Sequence, residues 1–211
     1  MDYSVARNRM VNELIAEKPI NSPAVIAALR KVPRHLFVDI HHTHAYSDKF
    51  FPIGEGQTIS RPYIVALMSQ SLNATPGMNV LEIGTGCGYQ SAVLSEMGLN
   101  VFTIERLRPL YIATAKRFAK LGYYKIKQKL GDGTLGWPEQ APFDRIIVTA
   151  GGNSIPAPLI EQLADPGIMV IPVGVAQRRQ ELVVIRKQNG ELLQEKITDV
   201  TFVDLIGDHG W

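Results

Sequence analysis

Two stretches of this chain hold residues whose types and spacing could do chemistry. In Val80-Leu81-Glu82-Ile83-Gly84-Thr85-Gly86-Cys87-Gly88-Tyr89 an apolar run ends in an acid and then gives way to alternate glycines. That order reads as a strand, a tight loop and a helix N-terminus, where bare backbone N–H groups can approach a nucleotide-like ligand. Glu105 follows 21 residues after Gly84, at the end of the next apolar run, the place from which an acid accepts ribose hydroxyls. Asp132 and Gly133 close a third, weaker run and put an acceptor where an adenine amino group would lie. Upstream, Gly54-Glu55-Gly56-Gln57-Thr58-Ile59-Ser60-Arg61-Pro62-Tyr63 is polar and glycine-flanked. Ser60 as an N-cap and Pro62 in the first helical turn would explain two of its residues without chemistry. Gln57, Thr58 and the two glycines are not explained that way, and a loop so dense in small donors suits a carboxylate.

The glycine spacing bears on the ligand. A dinucleotide fingerprint is G-x-G-x-x-G, whereas Gly84, Gly86 and Gly88 give G-x-G-x-G, with Tyr89 in the place of the third glycine. A nicotinamide oxidoreductase therefore has only the loop behind it.

The elements that must position these residues follow from periodicity. Ser4 to Lys18 carries Val5, Met10, Val11, Leu14 and Ile15 at helical spacing, and Ser22-Pro23 opens a second helix reaching about Val32. A helix after Pro62 carries Ile64, Val65, Leu67, Met68 and Leu72. From Asn79 strands and helices alternate. Strands are expected at Asn79 to Ile83, Asn100 to Ile104, Lys125 to Lys129, Phe143 to Thr149 and Ile168 to Pro172. Helices are expected at Tyr89 to Met97, Pro109 to Leu121 and Pro156 to Leu163. Such alternation predicts a doubly wound, mostly parallel α/β sheet with helices on both faces. Leu182 to Arg186 and Leu192 to Ile197 flank Asn189-Gly190 and read as an antiparallel hairpin, followed by a last short strand from Val200 to Leu205. The acids and glycines then fall on three loops at the carboxyl edge of one sheet, where open α/β sheets bind ligands.

Composition excludes several classes. The chain has 211 residues, 45% hydrophobic and 20% charged, with a net charge of +2 and no basic cluster interleaved with aromatics, so no nucleic-acid partner is indicated. Met1-Asp2-Tyr3-Ser4 starts no signal peptide and no window suits a membrane span, so a cytoplasmic protein with no membrane partner is expected. Cys87, the single cysteine, reads as a packing residue. His41, His42 and His44 lack further ligands at metal spacing and read as a solvated loop, so no metal is expected.

The glycine loop with its acid, followed at these intervals by Glu105 and Asp132, resembles the class I S-adenosylmethionine-dependent methyltransferases, whose fold is Rossmann-like. Three segments narrow the likeness: Pro52 to Pro62 with Gly-Gln-Thr-Ile-Ser, Val80 to Gln90, and Pro142 to Thr149. They resemble the protein-L-isoaspartate O-methyltransferase family over about Arg7 to Leu205. Nucleic-acid amino-methyltransferases of this fold carry Asn/Asp-Pro-Pro-aromatic after the fourth strand, and Thr149-Ala150-Gly151-Gly152 stands there instead.

The resemblance implies one methyltransferase domain over 1–211: an N-terminal helical segment with the substrate loop (1–75), a cofactor-binding α/β core (76–174) and C-terminal antiparallel strands (175–211). It implies methyl transfer from S-adenosyl-L-methionine to the carboxylate of isoaspartyl residues in damaged proteins and peptides, giving an ester that closes to a succinimide. It implies catalytic roles for Ser60 and Thr58, with Gln57, Ile59, Tyr63, Phe202 and Val203 at the substrate. Glu82, Gly84, Thr85, Gly86, Gly88, Glu105, Asp132 and Gly133 would hold the cofactor, Glu82 facing the methionine amine. A monomer is expected. Cys87 stands where serine is usual, Asp204 where proline is usual, and Asp165-Pro166-Gly167 where a Gly-Gly turn is common. Asp204 places a negative charge near a site that must receive a carboxylate. A module that binds the cofactor or the peptide without turnover, and a small-molecule carboxyl methyltransferase, are the alternative readings.

Overall fold

The computed structural model describes residues 3–39, 44–176 and 179–211, so His41 and His42 lie outside the described residues. His44 sits exposed in a short 3₁₀ turn, and no group of three or more potential ligands converges among the described residues.

Helix α1 (Ser4–Glu17) buries Met10, Val11 and Leu14, while Val5 and Ile15 at the margins of the predicted stripe are exposed. Helix α2 (Pro23–Lys31) buries Val25, Ala28 and Leu29 and stops before Pro33. Ser22 precedes its N-terminal proline, but the serine side chain caps nothing. Gln70 of helix α3 (Pro62–Ser71) serves the turn between α1 and α2 instead. Its Oε1 accepts from the N–H groups of Asn21 and Ser22, both at 2.8 Å, and its Nε2 donates to Pro19 O at 2.9 Å.

The polar stretch before α3 is more ordered than a loop. Strands β1 (Phe51–Gly54) and β2 (Gln57–Ile59) form an antiparallel hairpin, turned at Glu55 with a φ of 52°. At three and four residues these strands are too short for alternation to be read from sequence.

A seven-stranded sheet follows. It contains β3 (Asn79–Ile83), β4 (Asn100–Glu105), β5 (Lys127–Leu130), β6 (Phe143–Val148), β7 (Leu163–Ala176), β8 (Arg179–Gln188) and β9 (Glu191–Val200) in the order β5-β4-β3-β6-β7-β8-β9. The first five strands in that order are parallel, and β8 and β9 are added antiparallel beyond β7. The sheet thus ends at β5 on one side and β9 on the other. Strand pleating sends neighbours to opposite faces. Val80, Val101, Ile147 and Val170 join α1 to α3, α4 (Tyr89–Glu96) and Phe118 of α5 (Arg108–Leu121) in one core. Leu81, Phe102, Ile146 and Met169 join Leu159 of α6 (Ala157–Gln162) in the other.

Strands β7, β8 and β9 run longer than the pattern in the sequence, and two of the departures have a local cause. Strand β7 starts at Leu163 rather than Ile168, because Asp165-Pro166-Gly167 forms an irregularity within it: Leu163 pairs with Phe143 and Ile168 with Arg145. A proline, having no N–H to give the ladder, fits such a position. The Asp165 carboxylate accepts from Asn189 N at 2.9 Å and Gly190 N at 2.7 Å, fastening the turn of the β8–β9 hairpin. The expected last strand, Val200 to Leu205, does not form as such. Strand β9 runs continuously to Val200, and the following residues leave the ladder; Phe202 N donates to Gln180 Oε1 of β8, and Asp204 makes an isolated bridge with Gly151, beyond β6. No helix of the described residues is long and apolar enough to cross a membrane.

Candidate active site

The strand order reverses between β3 and β6, and the glycine loop leaves β3 at that switch point, where an open α/β sheet leaves a crevice. Thr149, just beyond β6, fixes the loop from the other side. Its N–H donates to Ile83 O at 2.9 Å and its hydroxyl to Gly84 O at 2.6 Å. Gly84 has a φ of 92°, and a Cβ there would lie 2.4 Å from Thr149 Oγ1. Gly88, with a φ of 87°, starts α4, and a Cβ there would lie 2.6 Å from the Phe118 ring. The third fingerprint glycine that the chain lacks is replaced by Tyr89, which is buried under the N-terminal helices.

Of the acids, Glu105 is 5% exposed and lines the cleft. Its Oε2 accepts from Gly86 N at 2.8 Å and its Oε1 from Leu107 N at 2.9 Å, so two loops hold the carboxylate in place. Thr85 is buried and shares a hydrogen bond with the Thr103 hydroxyl at 2.7 Å. Glu82 is fully buried and is not part of the cleft wall. Ser91 donates to its Oε2, its Oε1 has no partner, and burial pushes its carboxyl up to about 8.

Asp132 is also outside the wall, which Gly133 joins. Its Oδ1 accepts from the N–H and hydroxyl of Thr134 at 2.8 and 2.7 Å, and its Oδ2 from Asp208 N at 2.8 Å. Burial opposes ionisation here, but these donors outweigh it and hold the carboxyl below its usual range. The carboxylate thereby ties the loop after β5 to the C-terminal segment, whose Ile206 lines the cleft.

Across the cleft stand Gln57, Thr58, Ile59 and Ser60 of the β1–β2 hairpin, with Val203 on the C-terminal side. Ser60 is not the N-cap that the sequence pattern suggested; Arg61 occupies that position. Asp48 does the capping from a distance, its Oδ1 accepting from Tyr63 N at 2.8 Å and its Oδ2 pairing with Arg61 at 2.9 Å. Tyr63 lies beneath Lys18 and Arg61, each cation 5.3 Å from the ring centre, and Phe202 is buried in the core; neither lines the cleft. The cleft between the two sides encloses a cavity of about 100 Å³ that opens to solvent.

Arg34 is the residue that motif spacing did not single out. It is fully buried, donates through Nε to Ala45 O and through Nη2 to Ser60 O, both at 2.8 Å, and lies 4.8 Å above the Tyr89 ring. It joins the acceptor hairpin to the first residue of the helix after the glycine loop. The available signal was one charge within Val32-Pro33-Arg34-His35-Leu36-Phe37-Val38, a run otherwise suited to the core. Cys87 is buried and burial raises its thiol, consistent with packing.

A bare backbone loop, a fixed acid at the next strand and a facing row of hydroxyls can hold an adenosyl group on one side and a carboxylate on the other. Comparison with known proteins agrees. The family model for protein-L-isoaspartate(D-aspartate) O-methyltransferase matches residues 5–210. The protein-L-isoaspartate O-methyltransferase of Dictyoglomus thermophilum is 48% identical over 211 residues, 100% of this chain and 95% of the relative. That of Geobacter metallireducens is 48% identical over 100% of this chain and 98% of its own. A solved protein-L-isoaspartate O-methyltransferase superposes with a TM-score of 0.88 at 28% identity, covering 97% of this chain and 67% of the other. A Plasmodium falciparum structure assigned to the same activity, in complex with S-adenosyl-L-homocysteine, shares the fold with a TM-score of 0.83 at 24% identity, over 95% of this chain and 98% of that one.

Proposed function

Because the chain belongs to the protein-L-isoaspartate(D-aspartate) O-methyltransferase family, we propose a division of labour for its cleft in the reaction of that family. The enzyme transfers a methyl group from S-adenosylmethionine to the free carboxylate of isoaspartyl residues in proteins and peptides. S-adenosylmethionine supplies the electrophilic methyl group when bound. Gly84 to Gly86 and Glu105 hold its adenosyl part, a reading supported by a loop that side chains would fill and by a carboxylate already fixed by two N–H groups. Gly133 and Ile206 bound the adenine end, with Asp132 supporting both from behind.

Ser60 and Thr58 hold the acceptor. A carboxylate with a pKa near ~4 is ionised at neutral pH, so no base has to be supplied, and the chain's task is orientation. Alignment of this kind is worth roughly 7–11 kcal/mol. Neutral hydroxyls suit it, because a strong cation on the acceptor would lower its nucleophilicity. Arg34 accordingly acts one step back, on the Ser60 carbonyl rather than on the substrate. Val203 and the segment around it form the wall against the peptide. A monomer working in the cytoplasm without nucleic acid completes the reading; the near-neutral net charge of +2 supports the last of these.

The observation that carries the proposal is the placement of Ser60 and Thr58 across one cleft from Gly84, Gly86 and Glu105. Labelled S-adenosylmethionine offered with an isoaspartyl peptide and with its aspartyl twin tests it. Label enters the isoaspartyl peptide alone; equal labelling of the two, or none, refutes the reading.

A further inference from the structure

Asp204 has no part in the mechanism above, yet it lines the same cleft. Its neighbours are anchored on both sides: Val203 O accepts from Gly151 N at 2.8 Å, Leu205 N donates to Gly151 O at 2.9 Å, and Phe202 N is held by Gln180 Oε1 at 2.9 Å. The aspartate therefore stands at a fixed place in the wall. One of its carboxylate oxygens, Oδ1, is shielded from solvent and has no hydrogen-bond partner. The other acid of the wall, Glu105, has both oxygens taken by backbone N–H groups. The charged residues of the wall are Glu105, Arg106 and Asp204, so no wall cation is committed to offsetting Asp204 on the acceptor side. The Asp204 charge is therefore left uncompensated within the protein, and a cation arriving in the cleft offsets it through space.

The arriving ligand already brings one negative charge in its acceptor carboxylate, which Asp204 opposes. A second acid beside it adds to that opposition, whereas a cation offsets it. We propose that Asp204 is a specificity-determining residue that makes this enzyme prefer isoaspartyl sites flanked by lysine or arginine and discriminate against sites flanked by a further acid. The inference rests on the reading of Val203 and the segment around it as the peptide wall.

Two sets of isoaspartyl peptides, carrying Lys, Ala or Glu immediately before or immediately after the isoaspartyl residue, test it through kcat/KM for the enzyme and for Asp204→Asn. In one set or both, the enzyme favours Lys over Glu by about tenfold at low salt, with Ala between, and the ratio contracts as salt rises. Asp204→Asn brings the three peptides of that set within about twofold of one another, with the Ala peptide methylated at least as fast as by the unsubstituted enzyme because the charge opposing its carboxylate is gone, which also shows that the variant is folded. Equal rates across both sets for the unsubstituted enzyme, or an unchanged Lys-to-Glu ratio in Asp204→Asn, overturn the proposal. So does a raised KM for S-adenosylmethionine with the ratio intact, which would put Asp204 at the cofactor cation. If no isoaspartyl peptide is methylated at all, it is the methyltransfer reading that fails, and this one with it.

Discussion

The Asp48 carboxylate caps the helix that begins two residues after Ser60, accepting from the Tyr63 N–H at 2.8 Å. Capping by a distant side chain releases the Ser60 hydroxyl from the duty its position suggests. Asp48→Ala should therefore cost about 1 kcal/mol of stability by leaving that N–H without its acceptor. Ser60→Ala should leave the denaturant midpoint in place and lower kcat/KM by roughly tenfold or more. A loss of stability in Ser60→Ala as large as that in Asp48→Ala would return the serine to a structural role.

Arg34 reaches Ser60 through its carbonyl and Tyr89 through its ring. Arg34→Met removes three backbone-directed hydrogen bonds from a fully buried site and should both destabilise the protein and reduce kcat beyond what its folded fraction explains. Arg34→Lys keeps the charge without the fork, so it should recover stability in part and turnover little. Steady-state rates normalised to the folded fraction separate the two effects.

Gly88 lies where a Cβ would meet Phe118 at 2.6 Å, at a φ of 87°. Gly88→Ala should cost about 2 kcal/mol or more and displace the start of α4. Binding of S-adenosylhomocysteine, measured by calorimetry on whatever fraction folds, should weaken along with it. Unchanged affinity in a destabilised variant would show that the loop holds its shape without this packing.

Glu82 gives a pH signature. Burial sets its folded value near 8, above the ordinary 4.5, so the folded chain holds this proton more tightly than the unfolded chain does. The stabilisation is complete below about pH 4.5 and is lost as the pH climbs through 8. Glu82→Gln removes this titration. Urea unfolding at steps from pH 5 to pH 8.5 should show the unsubstituted protein losing stability relative to Glu82→Gln across that interval. Parallel curves would mean that the carboxyl is ionised in the folded state.

Periodicity in the chain made the parallel core legible, because β3, β4 and β6 are continuous apolar runs ending at loops that carry the glycines and Glu105. The switch-point cleft followed from the order of those units. What pattern could not show were contacts between residues far apart in sequence. Asp48 relieves Ser60, Gln70 holds the Asn21 and Ser22 N–H groups of the turn before α2, and Asp132 holds the Asp208 N–H, and in each case a side chain serves a backbone group distant in sequence. Arg34 escaped notice for the same reason, since its partners are carbonyl groups, which carry no residue identity. The β1–β2 hairpin was missed because its strands are shorter than the period needed to recognise them.

The two rims of the seven-stranded sheet carry like features. Strand β5 presents Lys127 and Lys129, and β9 presents Glu191, Glu195, Lys196 and Asp199, with Lys196 held between Glu181 at 2.7 Å and Asp199 at 2.9 Å. A strand approaching either rim would have to strip water from those charges before its backbone could pair. These charges set a desolvation cost against further strand pairing at either rim, whether by another copy of the chain or by the unfolded, chemically aged chains among which a repair enzyme must work.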